Sequence, residues 1–440
     1  MSRPVSINAS RGRKLASKRP SIVSVLDVGS SKVTCIIARL RPRNVDNTLP
    51  NRSHAIEVLG IGYQRARGIK AGAIVDLDAA EQTIRLAVDA AEKMAKVTIE
   101  SLIVNVSCGR LASEAYSANI GLNGKAVGET EIGRVLAVGR AHAHVPGRTV
   151  IHSRPIAYSL DGNRGIGDPR GMVGTHLGVD MHVVRADEAP LRNLELCINR
   201  SHLSIETMVA GPFASALSVL VDDESELGAV VIDFGAGTTT MSVFADGEFV
   251  HADAIALGGR TVTTDLARGL SVAIEDAERI KTMHGSAVGA VSDEHEFIDV
   301  ALAGDGEHDV PDQIPRSTIT RIIRARVEEM LELVRDRLNA SGFASVVGRR
   351  MVLTGGGSQL TGMAEIARRI LTRNVRLGRP LGVSGLPEAA KGPAFASAVG
   401  LLIYPQVAEF EQLAHAPAAQ LQATGTGYFA RVGRWLKQSF

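Results

Sequence analysis

Residues 229–245 read AVVIDFGAGTTTMSVFA, and the fold turns on this stretch. Four apolar residues run into Asp233, Phe234-Gly235-Ala236-Gly237 make a turn, and Thr238, Thr239 and Thr240 lead into a second apolar strand. A strand, a tight glycine turn and a returning strand bring several backbone N–H groups to one point, which forms a cradle for an anion. A Cβ in that turn would hold a phosphate off the backbone. Asp233 ends the first strand, where a Mg²⁺-phosphate needs a carboxylate. Taken singly, the pattern also describes an ordinary β-hairpin with glycine in its turn.

The pattern recurs. Residues 22–38, IVSVLDVGSSKVTCIIA, repeat it with Asp27 and a Val28-Gly29-Ser30-Ser31 turn. A near-repeat about 200 positions away implies two related half-domains, each giving one phosphate loop to a shared cleft. Residues 350–363, RMVLTGGGSQLTGM, add a strand running into Gly355-Gly356-Gly357, with a helix beginning near 358–361. Three successive glycines let a backbone lie flat against a bulky planar ligand such as adenosine. Order and spacing together resemble the actin/Hsp70/sugar-kinase superfamily, an α/β fold of two half-domains around a nucleotide cleft.

At 440 residues the chain suffices for two to four subdomains. A net charge of +2 supplies no field for nucleic acid, so none is expected as a partner. Cys35, Cys108 and Cys197 are far apart and read as reduced, mostly buried residues. No run of 18 apolar residues exists, so no membrane-spanning segment is predicted.

Residues 1–20 are polar and basic and read as a disordered tail. The helix over 78–95 has Ala80, Ile84, Ala87, Val88 and Ala91 on one face, with Asp78 as its expected cap. Residues 102–174 read as a compact strand–helix–strand insert, its helix over 129–144 burying Ile132, Val135, Leu136 and Gly139. Half-domain I is assigned to 21–101 and 175–211, and half-domain II to 212–404. Between 207 and 220, where the halves join, there is no Gln, Glu or Asp to serve as a base for fast phosphate chemistry. No catalytic residue is therefore assigned. Gly258 and Gly259 make another glycine approach. Glu278 and Lys281, three apart on one helix face, form either a surface ion pair or a contact to ribose or adenine. The long helix over 315–340 carries Arg316, Arg321, Arg324 and Arg326 on its outer face, either a solvated face or a seat for an acidic peptide tail.

Residues 405–426 read as a flexible linker. In 427–440, GYFARVGRWLKQSF, a helical step places Tyr428, Phe429, Val432, Trp435, Leu436 and Phe440 on one side and Arg431, Arg434 and Lys437 on the other. Apolar and aromatic residues opposite a cationic face describe a helix lying in the interface of an anionic membrane. One short helix binds weakly, which favours a self-assembling protein whose copies add their attachments.

The motifs LDVGSSKV, GIKAGAIVDLDAA, DESELGAVVIDFGAGTT, LGGRTVTTDLARGL, DAERIKTMHG and VLTGGGSQLTGM, with the terminal helix, resemble the FtsA family of bacterial actin-like cell-division proteins. The resemblance implies ATP binding, polymerisation, anchoring of the tubulin-like ring protein FtsZ through its C-terminal tail, and recruitment of later division proteins. It places the chain peripherally on the cytoplasmic side of the inner membrane at the division septum. The insert would be the family's SHS2-like subdomain (1C), beside 1A in half-domain I and 2A and 2B in half-domain II. The subdomain with the long helix would receive the FtsZ tail. By the same analogy, Gly29, Ser30, Ser31, Gly235, Gly237, Thr238 and Thr239 would hold the phosphates, Asp27 and Asp233 a Mg²⁺ largely through water, and Gly355–Gly357 with Glu278 and Lys281 the adenosine. The long basic N-terminal extension departs from the family pattern.

Three rival readings share the fold. A sugar or acetate kinase would need an acceptor pocket with a base and has no use for a cationic tail helix. An Hsp70-like chaperone would need a peptide-binding domain that does not fit after residue 404. An actin-like pilus-assembly protein would share the loops without the terminal helix.

Overall fold

The computed structural model describes residues 20–42, 52–108, 110–300 and 312–408. Half-domain I opens with the meander β1 (Ser21–Val28), β2 (Lys32–Pro42) and β3 (His54–Arg65). The small hairpin β4 (Ile69–Lys70) and β5 (Ala73–Ile74), helix α1 (Leu77–Ala95) and β6 (Ser101–Val106) follow. Next come β7 (Ala112–Gly121), α2 (Glu129–Ala141), β8 (Arg148–Leu160), β9 (Asn163–Ile166) and β10 (His176–Asp187). Helix α3 (Glu188–Arg200) and β11 (Ser204–Ala210) return to the first sheet, and α4 (Gly211–Val219) leaves it.

Half-domain II contains α5 (Asp222–Glu226), a second meander of β12 (Ala229–Phe234), β13 (Thr239–Ala245) and β14 (Glu248–Ile255), then α6 (Gly259–Leu270) and α7 (Ile274–His284). The short pair β15 (Phe297–Val300) and β16 (Asp312–Pro315) precedes α8 (Arg316–Ala340). The fold closes with β17 (Arg350–Thr354), α9 (Met363–Leu371), β18 (Asn374–Leu377), β19 (Val383–Ser384) and α10 (Ala396–Ile403).

The repeat in sequence is a repeat in topology. Sheet I runs β11-β6-β1-β2-β3-β19, and sheet II contains β18-β17-β12-β13-β14. In each half a three-stranded antiparallel meander takes its fourth and fifth strands in parallel beside the first. Both loops thus lie at corresponding ends of corresponding strands. Three separate apolar cores support the halves and the insert. Helices α4 and α10 pack together in the first of them, and eight of the nine residues of α4 are buried.

Helix α1 buries Ala80, Ile84, Ala87, Val88 and Ala91 as its period predicts, together with Thr83. Its cap is Asp76 rather than Asp78: the Asp76 carboxylate accepts from the Ala79 N–H at 3.1 Å, while Asp78 already lies in the first turn. Helix α2 buries Ile132, Val135, Leu136 and Gly139, as expected.

The edges of the insert differ from 102 and 174. Leu102–Val106 pairs with β1 and β11 inside sheet I, whereas β10 pairs with β7 and β8 through ten or more register positions. Strand pairing, unlike apolar pattern, decides which sheet owns a strand. The insert also joins the other half: Ala112 of β7 pairs with Asp253 of β14, so sheet II continues through β7-β10-β8-β9 into nine strands. Cys35, Cys108 and Cys197 are free and buried, and burial pushes the Cys35 thiol up to about 12. No helix of the described residues is long and apolar enough to cross a membrane. Residues 1–19 of the basic tail and all of 427–440 lie outside the described residues.

Candidate functional site

The two glycine turns meet tip to tip between the halves. Gly29, Ser30 and Ser31 bridge β1 and β2, and Gly235–Thr238 bridge β12 and β13. Strand β17 lies parallel to β12 with Thr354 opposite Asp233, which brings Gly355–Gly357 to the same place. Together they line a cleft of about 890 Å³. Gly237 is where the loops touch: a Cβ there would stand 2.5 Å from Ser30 Oγ and 3.0 Å from Ala71 Cα. Gly355 has φ +81°, and a Cβ on it would lie 2.2 Å from Asp233 Oδ1.

Each turn closes on itself through its first glycine. The Gly29 N–H donates to the Lys32 carbonyl at 3.1 Å and the Gly235 N–H to the Thr238 carbonyl at 2.9 Å. These two N–H groups, assigned above to phosphate, are engaged within the turns. The N–H groups of Ser30, Ser31, Gly237 and Thr238 have no acceptor among the described residues. Left-over donors at two facing loop tips are what an anion needs. Ser30 Oγ accepts from the Gly72 N–H at 2.9 Å, which pins the first loop to the β4–β5 hairpin.

Asp27 and Asp233 flank the tips. Asp27 accepts from Asn105 Nδ2 at 2.6 Å and Asp233 from Ser397 Oγ at 3.0 Å. Burial raises both carboxyls above their ordinary range, Asp233 to about 6. Burial lowers Lys32 to about 8 against the pull of Asp27 and Asp233, and its Nζ stands 3.4 Å from the centroid of the Phe395 ring. Two desolvated carboxylates facing one cleft hold charge at a cost that a hydrated divalent cation would relieve, and an all-oxygen donor set suits Mg²⁺.

Glu278 and Lys281 stand on the cleft wall and are also an ion pair, at 2.6 Å. Lys281 Nζ donates further to Gly259 O at 3.1 Å and Thr263 Oγ1 at 2.8 Å, so its three protons are all placed within the protein. Gly259 lines the cleft. Two of the expected residues do not. Thr239 is buried and its hydroxyl donates to the Leu257 carbonyl at 2.9 Å. Gly258 backs the hairpin, where a Cβ would stand 2.6 Å from Gly235 O. Both support the loop from behind, a position that motif spacing does not separate from the tip. Lys32, Asn105 and Ser397 were not anticipated. Lys32 carries a local signal, a cation directly after an anion loop; Asn105 and Ser397 carry none.

The arginines of α8 are largely engaged. Arg326 pairs with Asp265 of α6 at 2.5 and 3.2 Å and with Glu329; Arg316 pairs with Glu296 at 2.7 Å. Arg324 pairs with Glu328 at 2.8 Å. Arg321 is exposed and has no ion pair with a described residue. The residues expected to face a membrane, Tyr428, Phe429, Arg431, Val432, Arg434, Trp435, Leu436, Lys437 and Phe440, lie outside the described residues.

The family model "Cell division protein FtsA" matches residues 230–400, and "SHS2 domain inserted in FTSA" matches 108–185, the range that the strand pairing of the insert also marks out. The cell division protein FtsA of Rhizobium meliloti (strain 1021) is 59% identical, over 98% of this chain and 97% of its own. Among solved structures, the type IV pilus biogenesis complex PilM–PilN superposes with a TM-score of 0.59 at 16% identity, over 87% of this chain and 98% of that one. MreB5 of Spiroplasma citri bound to ADP superposes with a TM-score of 0.52 at 13% identity, over 89% and 98%. These structures establish an actin-like ATPase fold. Identity of 59% across nearly the whole length establishes more, and the chain belongs to the FtsA family of cell division proteins.

Proposed function

We propose that this chain binds ATP with Mg²⁺ between its halves, polymerises on the inner face of the cytoplasmic membrane, and tethers the FtsZ ring there while later division proteins assemble. Membership of the FtsA family supports the division role. The observation that carries the ligand is the convergence of four N–H groups without acceptors among the described residues, from Ser30, Ser31, Gly237 and Thr238, beside the buried Asp27 and the half-buried Asp233 carboxylates. The related fold of MreB5, whose structure holds ADP, agrees with it. Asp27 and Asp233 would hold the hydrated Mg²⁺, which neutralises polyphosphate charge when bound. Gly355–Gly357 would take the adenosine face and Glu278 its ribose side, with Lys281 holding Glu278 in place.

The tether rests on the pattern of 427–440, where each basic residue near an anionic leaflet contributes about 1 kcal/mol. Such weak attachment becomes firm when copies assemble. The FtsZ tail would dock on the subdomain that holds α8, where Arg321 and Arg324 are the exposed cations of the cluster. Co-sedimentation with anionic liposomes tests the tether, using the intact chain and a truncation ending at Thr424, each with and without ATP-Mg²⁺. The intact chain should pellet with the vesicles, more so with ATP-Mg²⁺, and the truncation should stay in solution. Equal behaviour of the two refutes the anchor.

A further inference from the structure

Asn105 enters the cleft from outside all three glycine loops. Strand β6 lies parallel to β1 with Val25 opposite Ile103 and Leu26 opposite Val104, so Asn105 comes level with Asp27. Its side chain is buried, and Nδ2 donates to Asp27 Oδ1 at 2.6 Å. An ionised carboxylate only accepts, so the amide must present its nitrogen to Asp27. Oδ1 is thereby turned away and has no donor among the described residues. Beside it stands Gly211, the first residue of the helix that joins the halves, where a Cβ would lie 2.7 Å from Oδ1. Asn105 is thus wedged between the acid and the connecting helix.

We propose that Asn105 is a positioning residue that keeps the Asp27 carboxylate turned into the cleft for the hydrated divalent cation of a bound nucleotide. The inference rests on the nucleotide reading above. The charges around Asp27 agree with it. The Asn105 amide is the side-chain donor to this buried carboxylate, and Lys32 on β2 supplies the facing positive charge. Asp233 on β12 faces the same space with its own negative charge. Deleting the amide leaves Asp27 with Lys32 alone, and a hydrogen bond to a charged group is worth about tenfold or more in an equilibrium.

Calorimetric titration of the intact chain with ATP, in Mg²⁺ and in EDTA, tests this. The unsubstituted chain should bind ATP more tightly in Mg²⁺. Asn105→Ala should shrink that Mg²⁺ advantage about tenfold while leaving affinity in EDTA unchanged. Asn105→Ser, which keeps a short donor, should restore part of it, and Gly211→Ala, which crowds Oδ1, should reproduce the loss. On an Asp27→Asn background, Asn105→Ala should do nothing further. Equal loss with and without Mg²⁺, or a loss that persists beside Asp27→Asn, overturns the proposal. If Asn105→Ala fails to melt cooperatively, the Ser and Gly211 variants decide it by the same criterion. An unsubstituted chain that binds no ATP overturns the nucleotide reading and this inference together, and is recognised because the failure precedes any substitution.

Discussion

Replacing Gly237 by Ala tests whether the two glycine loops must touch. The added Cβ would stand 2.5 Å from Ser30 Oγ, 2.8 Å from Ser30 Cβ and 3.0 Å from the backbone Cα of Ala71. Carbon contacts are comfortable at about 3.5 Å and beyond, so the loop tips must part by roughly 0.5–1 Å. Ser30 cannot simply rotate away, because its hydroxyl is buried and holds the Gly72 N–H. Overpacking of this kind costs about 1–3 kcal/mol. If bound ATP needs both tips at once, that cost falls on binding and weakens it about tenfold to a hundredfold. Calorimetric titration with ATP-Mg²⁺ reads the affinity, and a thermal melt separates it from global stability. Ser30→Gly removes the two nearest obstacles but strands the Gly72 N–H, so the informative quantity is the coupling in a double-mutant cycle. Gly237→Ala should cost less on the Ser30→Gly background than on the native one. Unchanged affinity for Gly237→Ala, or strict additivity with Ser30→Gly, refutes contact between the tips as the basis of the site.

Asp233 supplies a pH test. Its folded pKa of about 6 lies above the ordinary 3.8, so this group stabilises the nucleotide-free fold most below about pH 4, and that contribution is lost as pH rises through 6. Asp233→Asn should therefore raise the melting temperature near neutral pH, flatten its dependence between pH 4 and 6, and weaken ATP-Mg²⁺ binding; an unaltered melting profile counts against burial as the cause. Lys281→Met removes three hydrogen bonds, to Gly259, Thr263 and Glu278, and leaves the Thr263 and Glu278 side chains without it. It should cost about 1–3 kcal/mol in a denaturant melt and weaken ATP binding; a loss confined to affinity would mean that Lys281 meets the ligand directly. Arg326→Ala should lower stability through the lost Asp265 pair between α6 and α8, whereas Arg321→Ala should leave the melt unchanged and weaken binding of an acidic FtsZ-tail peptide measured by fluorescence anisotropy. The reverse pattern would return the acidic-peptide seat to Arg326.

Local rules carried the sequence a long way here. Alternating apolar strands, glycine turns and helical periodicity act over a few residues, so both glycine hairpins, the third glycine stretch and the buried faces of α1 and α2 were legible before any contact was known. The repeat of one loop pattern even announced a shared cleft. What tertiary structure alone decided was which neighbour each group acquires. Asn105 meets Asp27 from 78 positions away, Ser397 meets Asp233 from 164, and Asp265 claims Arg326 from 61. Thr239 turns from the cleft because its partner is the Leu257 carbonyl, and β10 leaves half-domain I because its hydrogen bonds go to β7 and β8. A backbone conformation is favoured by the residues that adopt it, and so it is written locally. A hydrogen bond or an ion pair between distant strands exists only once the chain has closed, and no short stretch of sequence contains it.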